Sequence, residues 1–459
     1  MGASGASFLF PRQAPLRRDR LHFEDGRMSH RTECGVPNLM SSSHYTWKLG
    51  EPLPILGQHS LAKHDIFEQY VGIYIERLTR TPSQTMLNLT IVDGFSGGGL
   101  YQLGSGEVDG SPLRLLRAVE ATNRALNAAR AKGFSVRADF FFVDKNAEHV
   151  TFLLELLKRR GYGSRIGQDI FVTCSLFEDA CPAILQHIQK KGTAHRSLFF
   201  LDQYGWSDVR LATIRAILGA LKNPEILLTF AVDALIDFLS SKTPETQALL
   251  NIELAREDVR ALIDMGNGAG WRYLIQNGLY RHVQARTGAR FYTPFFIHSI
   301  ESHRSYWLLH LSNHRQARDE MGKLHWRLNN KFRHHGGAGF HALGYDPSQD
   351  LRQGLLSFMF DDDALKRSEA AILEQIPRMI HAANRDGEGL LVEALFASNC
   401  NDTPVTSEIL ARQLVLLRNE GELSIIAEDG SGKPRTKRIS WSDRLVLPRQ
   451  RSLFSRPGW

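Results

Sequence analysis

The sequence predicts an α/β protein: a mostly parallel sheet with helices on both faces, closed by an antiparallel hairpin and followed by a separate C-terminal module. Three observations predict it. Apolar runs of strand length alternate with amphipathic stretches from Leu87 to Phe230, the pattern of parallel strands joined by crossover helices. Two further strand-like runs, Tyr292–Ile300 and Tyr306–Leu311, leave no room for a crossover helix and must pair antiparallel. Beyond residue 365 the pattern changes to helices followed by a short basic hairpin.

Composition sets the frame. The chain has 459 residues, 42% hydrophobic and 23% charged, a soluble globular balance too long for one ordinary domain. No run approaches the roughly 18 uncharged apolar residues of a membrane span, so no membrane partner is expected. A net charge of +7 permits a polyanionic partner such as DNA or RNA without requiring one. Cys34, Cys174, Cys181 and Cys400 form no Cys-x-x-Cys pair, which supports neither a zinc site nor a disulfide framework and makes the cytoplasm the simplest compartment. Residues 1–44 are polar, arginine-rich and aperiodic, without the apolar centre of a secretion signal. A targeting presequence, a disordered arm and a misassigned start (Met28 or Met40) all fit them, and the last two are favoured.

Taken in order, Leu61, Ile66, Tyr70, Val71, Tyr74, Ile75 and Leu78 lie at helical spacing, so Ser60 to Arg80 is expected as a helix capped by Ser60. Lys63 and His64 fall in its first turn, where a cation opposes the helix dipole; they either face solvent or project toward an anionic ligand. Leu87 to Val92 reads as a buried strand ending at Asp93-Gly94-Phe95-Ser96-Gly97-Gly98-Gly99. A loop from Leu100 to Gly110 follows, and Ser111 is expected to cap a helix opened by Pro112. Later strands are expected at Ala138–Val143, Asp169–Cys174, Ser197–Leu201 and Glu225–Phe230, with helices at Glu148–Arg160, Asp179–Lys190 and Asp208–Leu221. Residues 232–284 read as a helical insertion. Five parallel strands closed by an antiparallel hairpin is the order of a Rossmann-like class I methyltransferase sheet.

The methyltransferase-like domain is thus expected over 45–330, a linker over 331–364 and a winged-helix-like module over 365–459. The histidines from His325 to His341 show no spacing that presents a ligand set, so no metal is expected. In the module, helices fit Ala364–Asn384, Gly389–Ser398 and the stretch after Thr406, which Gly421 stops. Glu422–Ala427 and Arg444–Leu447 then suggest a hairpin wing. Arg412 and Arg418 are expected on the outer face of the last helix, and Lys433, Arg435, Lys437 and Arg438 on the wing, where basic residues could sit on phosphates. Winged helices also mediate protein contacts.

Parallel sheets bind ligands at the carboxyl ends of their strands. There Gly94, Phe95, Ser96, Gly97 and Gly99 would pass the amino-acid portion of S-adenosylmethionine, and Asp93 would accept from its ammonium group. Asp144 would take both ribose hydroxyls, while Ser175 and Phe177 would hold adenine. Asp202, Gln203, Tyr204 and Trp206 would stand beside the sulfonium methyl. Taken singly, each acid is a solvated strand end; three acids after three separate hydrophobic strands point to a cofactor site. The dozen residues between the glycines and the next helix argue against nicotinamide, and the missing Gly-Lys-Ser or Gly-Lys-Thr excludes a phosphate-binding loop.

Several phrases, in order over residues 45–330, resemble the three-Cys-motif partner proteins, a bacterial family with a methyltransferase-like core. They are Trp47-Lys48-Leu49-Gly50, His59-Ser60-Leu61-Ala62-Lys63-His64, the Asp93 glycine segment, Gly110-Ser111-Pro112, Phe142-Val143-Asp144, Phe200-Leu201-Asp202-Gln203-Tyr204-Gly205-Trp206 and Tyr306-Trp307-Leu308-Leu309. The resemblance implies a partner carrying three cysteines, related to radical S-adenosylmethionine proteins. One departure matters: that family tends to read Asp-Pro-Phe-Gly-Trp where this chain has Gln203 and Tyr204. Amino-group methyltransferases on nucleic acids use Asp/Asn-Pro-Pro-aromatic there, to grip the amine and stack on a flipped base. The expectation is therefore a methyltransferase acting on nucleic acid, with Asp202 orienting the acceptor, Tyr204 or Trp206 stacking on it, and Lys63 and His64 steadying a phosphate or the cofactor carboxylate. The alternative is a non-catalytic regulator that keeps the fold and binds DNA or its partner.

Overall fold

A computed structural model describes residues 45–81, 83–240, 246–255, 257–260, 271–298, 305–328, 333–335, 357–359, 362–383, 389–433 and 438–448. Helix α1 (Gln58–Leu78) precedes strand β1 (Met86–Asp93), a hairpin of β2 (Leu100–Leu103) and β3 (Gly106–Asp109), and helix α2 (Ser111–Ala128). Alternation continues through β4 (Ser135–Asp144), α3 (Ala147–Arg159), β5 (Ile170–Cys174), α4 (Phe177–Lys190), β6 (Arg196–Leu201), α5 (Leu211–Ala220) and β7 (Glu225–Phe230). Helices α6 (Val232–Ser240), α7 (Gln247–Asn251) and α8 (Trp271–Thr287) occupy the insertion before β8 (Phe291–His298), β9 (Ser305–Ser312) and α9 (Arg315–Arg327).

Strands β5-β4-β1-β6-β7-β9-β8 form one sheet in that order. The first five are parallel, and β9 runs antiparallel between β7 and β8. Strand β1 sits centrally because its side chains from Leu89 to Asp93 are buried or nearly so on both faces, as a strand covered by helices requires. Helix α1 lays Ile66, Phe67, Tyr70, Val71 and Ile75 against the sheet, with Phe67 centred 4.8 Å from Phe200. Among the described residues, no helix is long and apolar enough to cross a membrane.

Three local expectations are corrected. Gly57, not Ser60, is the N-cap of α1, and Gly110, not Ser111, is the N-cap of α2; neither makes a side-chain cap, and both serines lie inside their helices. The segment from Leu100 to Gly110 is a two-stranded hairpin rather than a loop, pairing Leu100 with Asp109 and Leu103 with Gly106. The stretch read as a linker contains a paired ladder of β10 (Arg333–His335) and β11 (Ser357–Met359).

The C-terminal module comprises α10 (Asp362–Ala383), β12 (Leu390–Leu391), α11 (Val392–Asn399), α12 (Ser407–Glu420), β13 (Ser424–Ile426) and β14 (Arg444–Val446). The three strands form a sheet of order β12-β14-β13, so the stretch expected as a helix from Gly389 begins as a strand. Thr406 caps α12 through Oγ1, which accepts from the Ile409 N–H, and Gly421 ends it at φ 80°, a left-handed conformation that suits glycine.

This module is not loosely tethered. The fully buried Arg318 of α9 donates to Thr293 Oγ1 (3.1 Å), to the Val405 carbonyl (3.2 Å) and to the Thr403 carbonyl. Next to it, Asp319 accepts from the Ser407 N–H (2.7 Å) and hydroxyl (2.6 Å), which fixes the start of α12 against α9. Tyr280 of α8 donates to the Asn401 carbonyl, and Phe291 of β8 joins the apolar core of the module.

Candidate cofactor and acceptor site

Register brings the three acids together. Asp93 pairs with Phe142 of β4 and Phe200 of β6, so Asp144 and Asp202 each lie two residues beyond its partners at the same edge of the sheet. Asp93 is 1% exposed; its Oδ1 accepts from the Phe95 N–H (3.2 Å), while the buried Oδ2 makes no hydrogen bond of ordinary geometry. Burial pushes its carboxyl up to about 7, with the Ser111 hydroxyl and Phe95 N–H opposing the rise and the charges of Asp202 and Asp144 adding to it.

Asp144 is more committed than the sequence suggested. Its carboxylate accepts from the Gly97 N–H (3.0 Å), the Asn146 N–H (2.8 Å) and the His149 ring (3.2 Å). A carboxylate has about four acceptor sites, so roughly one is left for a ribose hydroxyl rather than two. Asp144 thereby also shapes the glycine turn.

Of the two residues in the first turn of α1, Lys63 meets a carboxylate of the protein and His64 carries no charge. Lys63 Nζ lies 2.5 Å from Asp202 Oδ1, both side chains being largely buried. It therefore faces a carboxylate of the protein, not solvent. Burial alone would raise the Asp202 carboxyl, but the Lys63 ammonium and the Thr229 hydroxyl hold it below the ordinary range, so Asp202 is ionised. His64 is 3% exposed, and burial, aided by Arg114 and Lys63, lowers it to about 3. It is neutral and cannot act as the second cation; its Nδ1 is buried without a partner.

The glycines serve internal packing. A Cβ on Gly98 would stand 2.2 Å from Cγ of Trp47, and one on Gly97 would stand 2.7 Å from the same indole. A Cβ on Gly94 would meet Leu201 and Phe177, and one on Gly99 would meet Leu153. Gly97 (φ 57°) and Gly99 (φ 78°) also need the left-handed region. Trp47 donates from its indole N–H to the Leu100 carbonyl (2.5 Å) and packs edge-on against Tyr101 and His149. Ser96 is buried with its N–H on the Val143 carbonyl, and Phe95 lies 6.4 Å from Phe177. Ser175 donates back to the Leu176 carbonyl, and Phe177 is buried at the start of α4.

Beyond β6, Tyr204 keeps an exposed side chain, at 51%. Trp206 does not: it is buried with its ring 5.4 Å from Phe238 of α6, which corrects its expected place beside the acceptor. Gln203 is 1% exposed, anchors the Val209 N–H through Oε1 (2.9 Å), and leaves Nε2 buried without a partner. The reading of the strand ends missed Tyr101, whose buried ring stands within the field of Asp93, Asp144 and Asp202, and His149. Both lie on elements whose approach to the acids depends on long-range packing.

The basic residues of the C-terminal module are mostly in use. Arg418 is buried, not on the outer face. Arg412 is exposed but ion-paired with Glu369 of α10 (2.7 Å), and Lys433 is buried against Asp443 (2.7 Å). Arg438 is exposed; Arg435 and Lys437 lie outside the described residues. Among the described residues, no group of three or more His, Cys, Asp or Glu stands at metal-binding spacing.

A family model for the GMT-like wHTH domain matches residues 344–430. The C-terminal module is a winged helix-turn-helix. No curated protein matches the chain. Among solved structures, the Legionella pneumophila str. Philadelphia 1 protein LPL1258, of family model DUF519, is 11% identical, with 60% of this chain and 93% of that chain covered and a TM-score of 0.36. Trm1 from Pyrococcus horikoshii, in complex with S-adenosyl-L-methionine, is 10% identical over 88% of this chain and 95% of its own, at a TM-score of 0.28. The plantazolicin methyltransferase BpumL, in complex with SAH, is 10% identical over 55% and 84%, at 0.22.

Proposed function

We propose that the protein is an S-adenosylmethionine-dependent methyltransferase. The single observation that carries this reading is the convergence of Asp93, Asp144 and Asp202 at one edge of a parallel sheet, beside buried polar atoms that have no partner. Native proteins rarely leave such atoms orphaned, and a ligand donor at this edge would satisfy Asp93 Oδ2. The strand order, with antiparallel β9 between β7 and β8, is that of class I methyltransferases and supports the same reading.

The residues fit the cofactor's chemistry. Asp93 Oδ2 suits an ammonium group, and the remaining acceptor site of Asp144 suits a ribose hydroxyl. The cofactor, when bound, supplies an electrophilic methyl group. The chain's own part is positional: Asp202 orients an N–H acceptor through its ionised carboxylate, and Tyr204 offers an exposed ring on which a planar acceptor can stack. The winged helix supports nucleic acid as the acceptor by fold analogy, and Arg438 is its exposed described cation on the wing. The family resemblance adds a three-cysteine-motif, radical-S-adenosylmethionine-like partner protein to the proposal.

Calorimetric titration of the full chain with S-adenosylmethionine tests the reading, and no binding at high micromolar concentration sinks it. Tritiated-methyl transfer to DNA, RNA and partner protein then identifies the acceptor. The ion pair of Lys63 with Asp202 and the inward turn of Trp206 favour a second reading, a cofactor-binding regulator without catalysis. Binding without methyl transfer to any of the three acceptors selects it.

A further inference from the structure

The charge arrangement around Lys63 says more about how the site selects its ligand. Three carboxylates meet at this edge, and the Lys63 ammonium pairs with one of them, Asp202. The nearby Arg114 is committed to Asp65 (2.9 Å), Glu68 (3.2 Å) and the Asp109 carbonyl, and His64 is neutral. An α-amino acid carries ammonium and carboxylate on one carbon, so its recognition needs an acid and a base side by side. Asp93, with a buried oxygen unpartnered, is the acid. Lys63, reaching from α1 to the end of the adjacent strand β6, is the base, and the carboxylate it touches in this structure belongs to Asp202.

We propose that Lys63 selects the amino-acid end of the cofactor: its ammonium moves from Asp202 to the ligand's α-carboxylate, and this exchange releases Asp202 to grip the methyl acceptor. The inference rests on the cofactor reading above. Exchanging one carboxylate for another keeps a largely buried ammonium paired, which breaking the pair outright would not. The released Asp202 then needs a hydrogen-bond donor, which an acceptor N–H supplies. Cofactor binding therefore strengthens acceptor binding, and the reverse holds by the same factor.

The test titrates the full chain with two probes, S-adenosylhomocysteine and methylthioadenosine, the latter carrying the nucleoside without the amino-acid end. Lys63→Met is expected to weaken S-adenosylhomocysteine by roughly 30-fold or more while leaving methylthioadenosine unchanged, since one partner of a desolvated charge pair is lost. Lys63→Arg, which keeps the charge, is expected to retain most of the affinity. Asp202→Asn is expected to tighten S-adenosylhomocysteine, because the carboxylate that competes for Lys63 is gone. Equal losses for both probes in Lys63→Met make Lys63 merely structural and overturn the proposal. So does unaltered binding in that variant, or unchanged or weaker S-adenosylhomocysteine binding in Asp202→Asn. Failure of the unmodified chain to bind either probe overturns the cofactor reading itself, and this inference with it.

Discussion

Asp93 gives the sharpest test of whether this sheet edge is built for a ligand rather than for stability. Its carboxyl stands at about 7 in the fold against an ordinary 3.8, chiefly because burial disfavours the charge. Between those pH values the folded protein holds a proton that the unfolded chain has released, so stability falls as pH rises from 4 to 7 and stays low above that. The gap corresponds to at most roughly 4 kcal/mol at pH 8, at about 1.4 kcal/mol per pH unit. Asp93→Asn removes the charge and keeps an oxygen for the Phe95 N–H. It is therefore expected to be more stable than the unmodified chain at pH 8, by ~1–4 kcal/mol, with the gain vanishing near pH 4. Urea denaturation at pH 4.5, 6 and 8 measures this. The same variant should lose S-adenosylmethionine binding, a gain of stability at the expense of function. A variant less stable at pH 8, or a gain independent of pH, refutes the account of Asp93.

Other outcomes follow from the packing. Gly98→Ala forces a Cβ into Trp47 and is expected to cost ~1–3 kcal/mol, most of which is recovered in a Trp47→Ala background, as a double-mutant cycle by thermal denaturation would show. Arg318→Leu leaves the Thr403 and Val405 carbonyls without their donor and is expected to cost roughly 2–5 kcal/mol, lowering the melting midpoint of the whole chain rather than splitting off a separate transition. If duplex DNA binds, Arg438→Glu should weaken it and reduce the salt dependence by about one ion, whereas Arg412→Glu, at a residue already tied to Glu369, should change it little. Equal effects of the two, read by fluorescence anisotropy across a salt series, would show that α12 reads the duplex after all.

Much of the fold was legible in the sequence because strands buried on both faces read as continuous apolar runs. Leu87–Val92, Ser197–Leu201 and Glu225–Phe230 could hardly be anything else, and the spacing near residue 300 allowed only a hairpin. The candidate acids were legible too, since each stands at the end of such a run. The Gly421 stop was an equally local signal, and it holds. Tertiary structure alone decided what those residues touch. Lys63 and Asp202 are 139 positions apart, and no local pattern pairs them. Of the glycines that read as a ligand cradle, Gly97 and Gly98 have their Cβ side filled by Trp47, some fifty residues earlier. Arg418 and Lys433 read as surface cations, yet one is buried and the other meets Asp443. Periodicity along a chain reports which face a residue belongs to. Which charge it meets there depends on the segments that fold against it, and for this site those come from four separate strand ends and a helix.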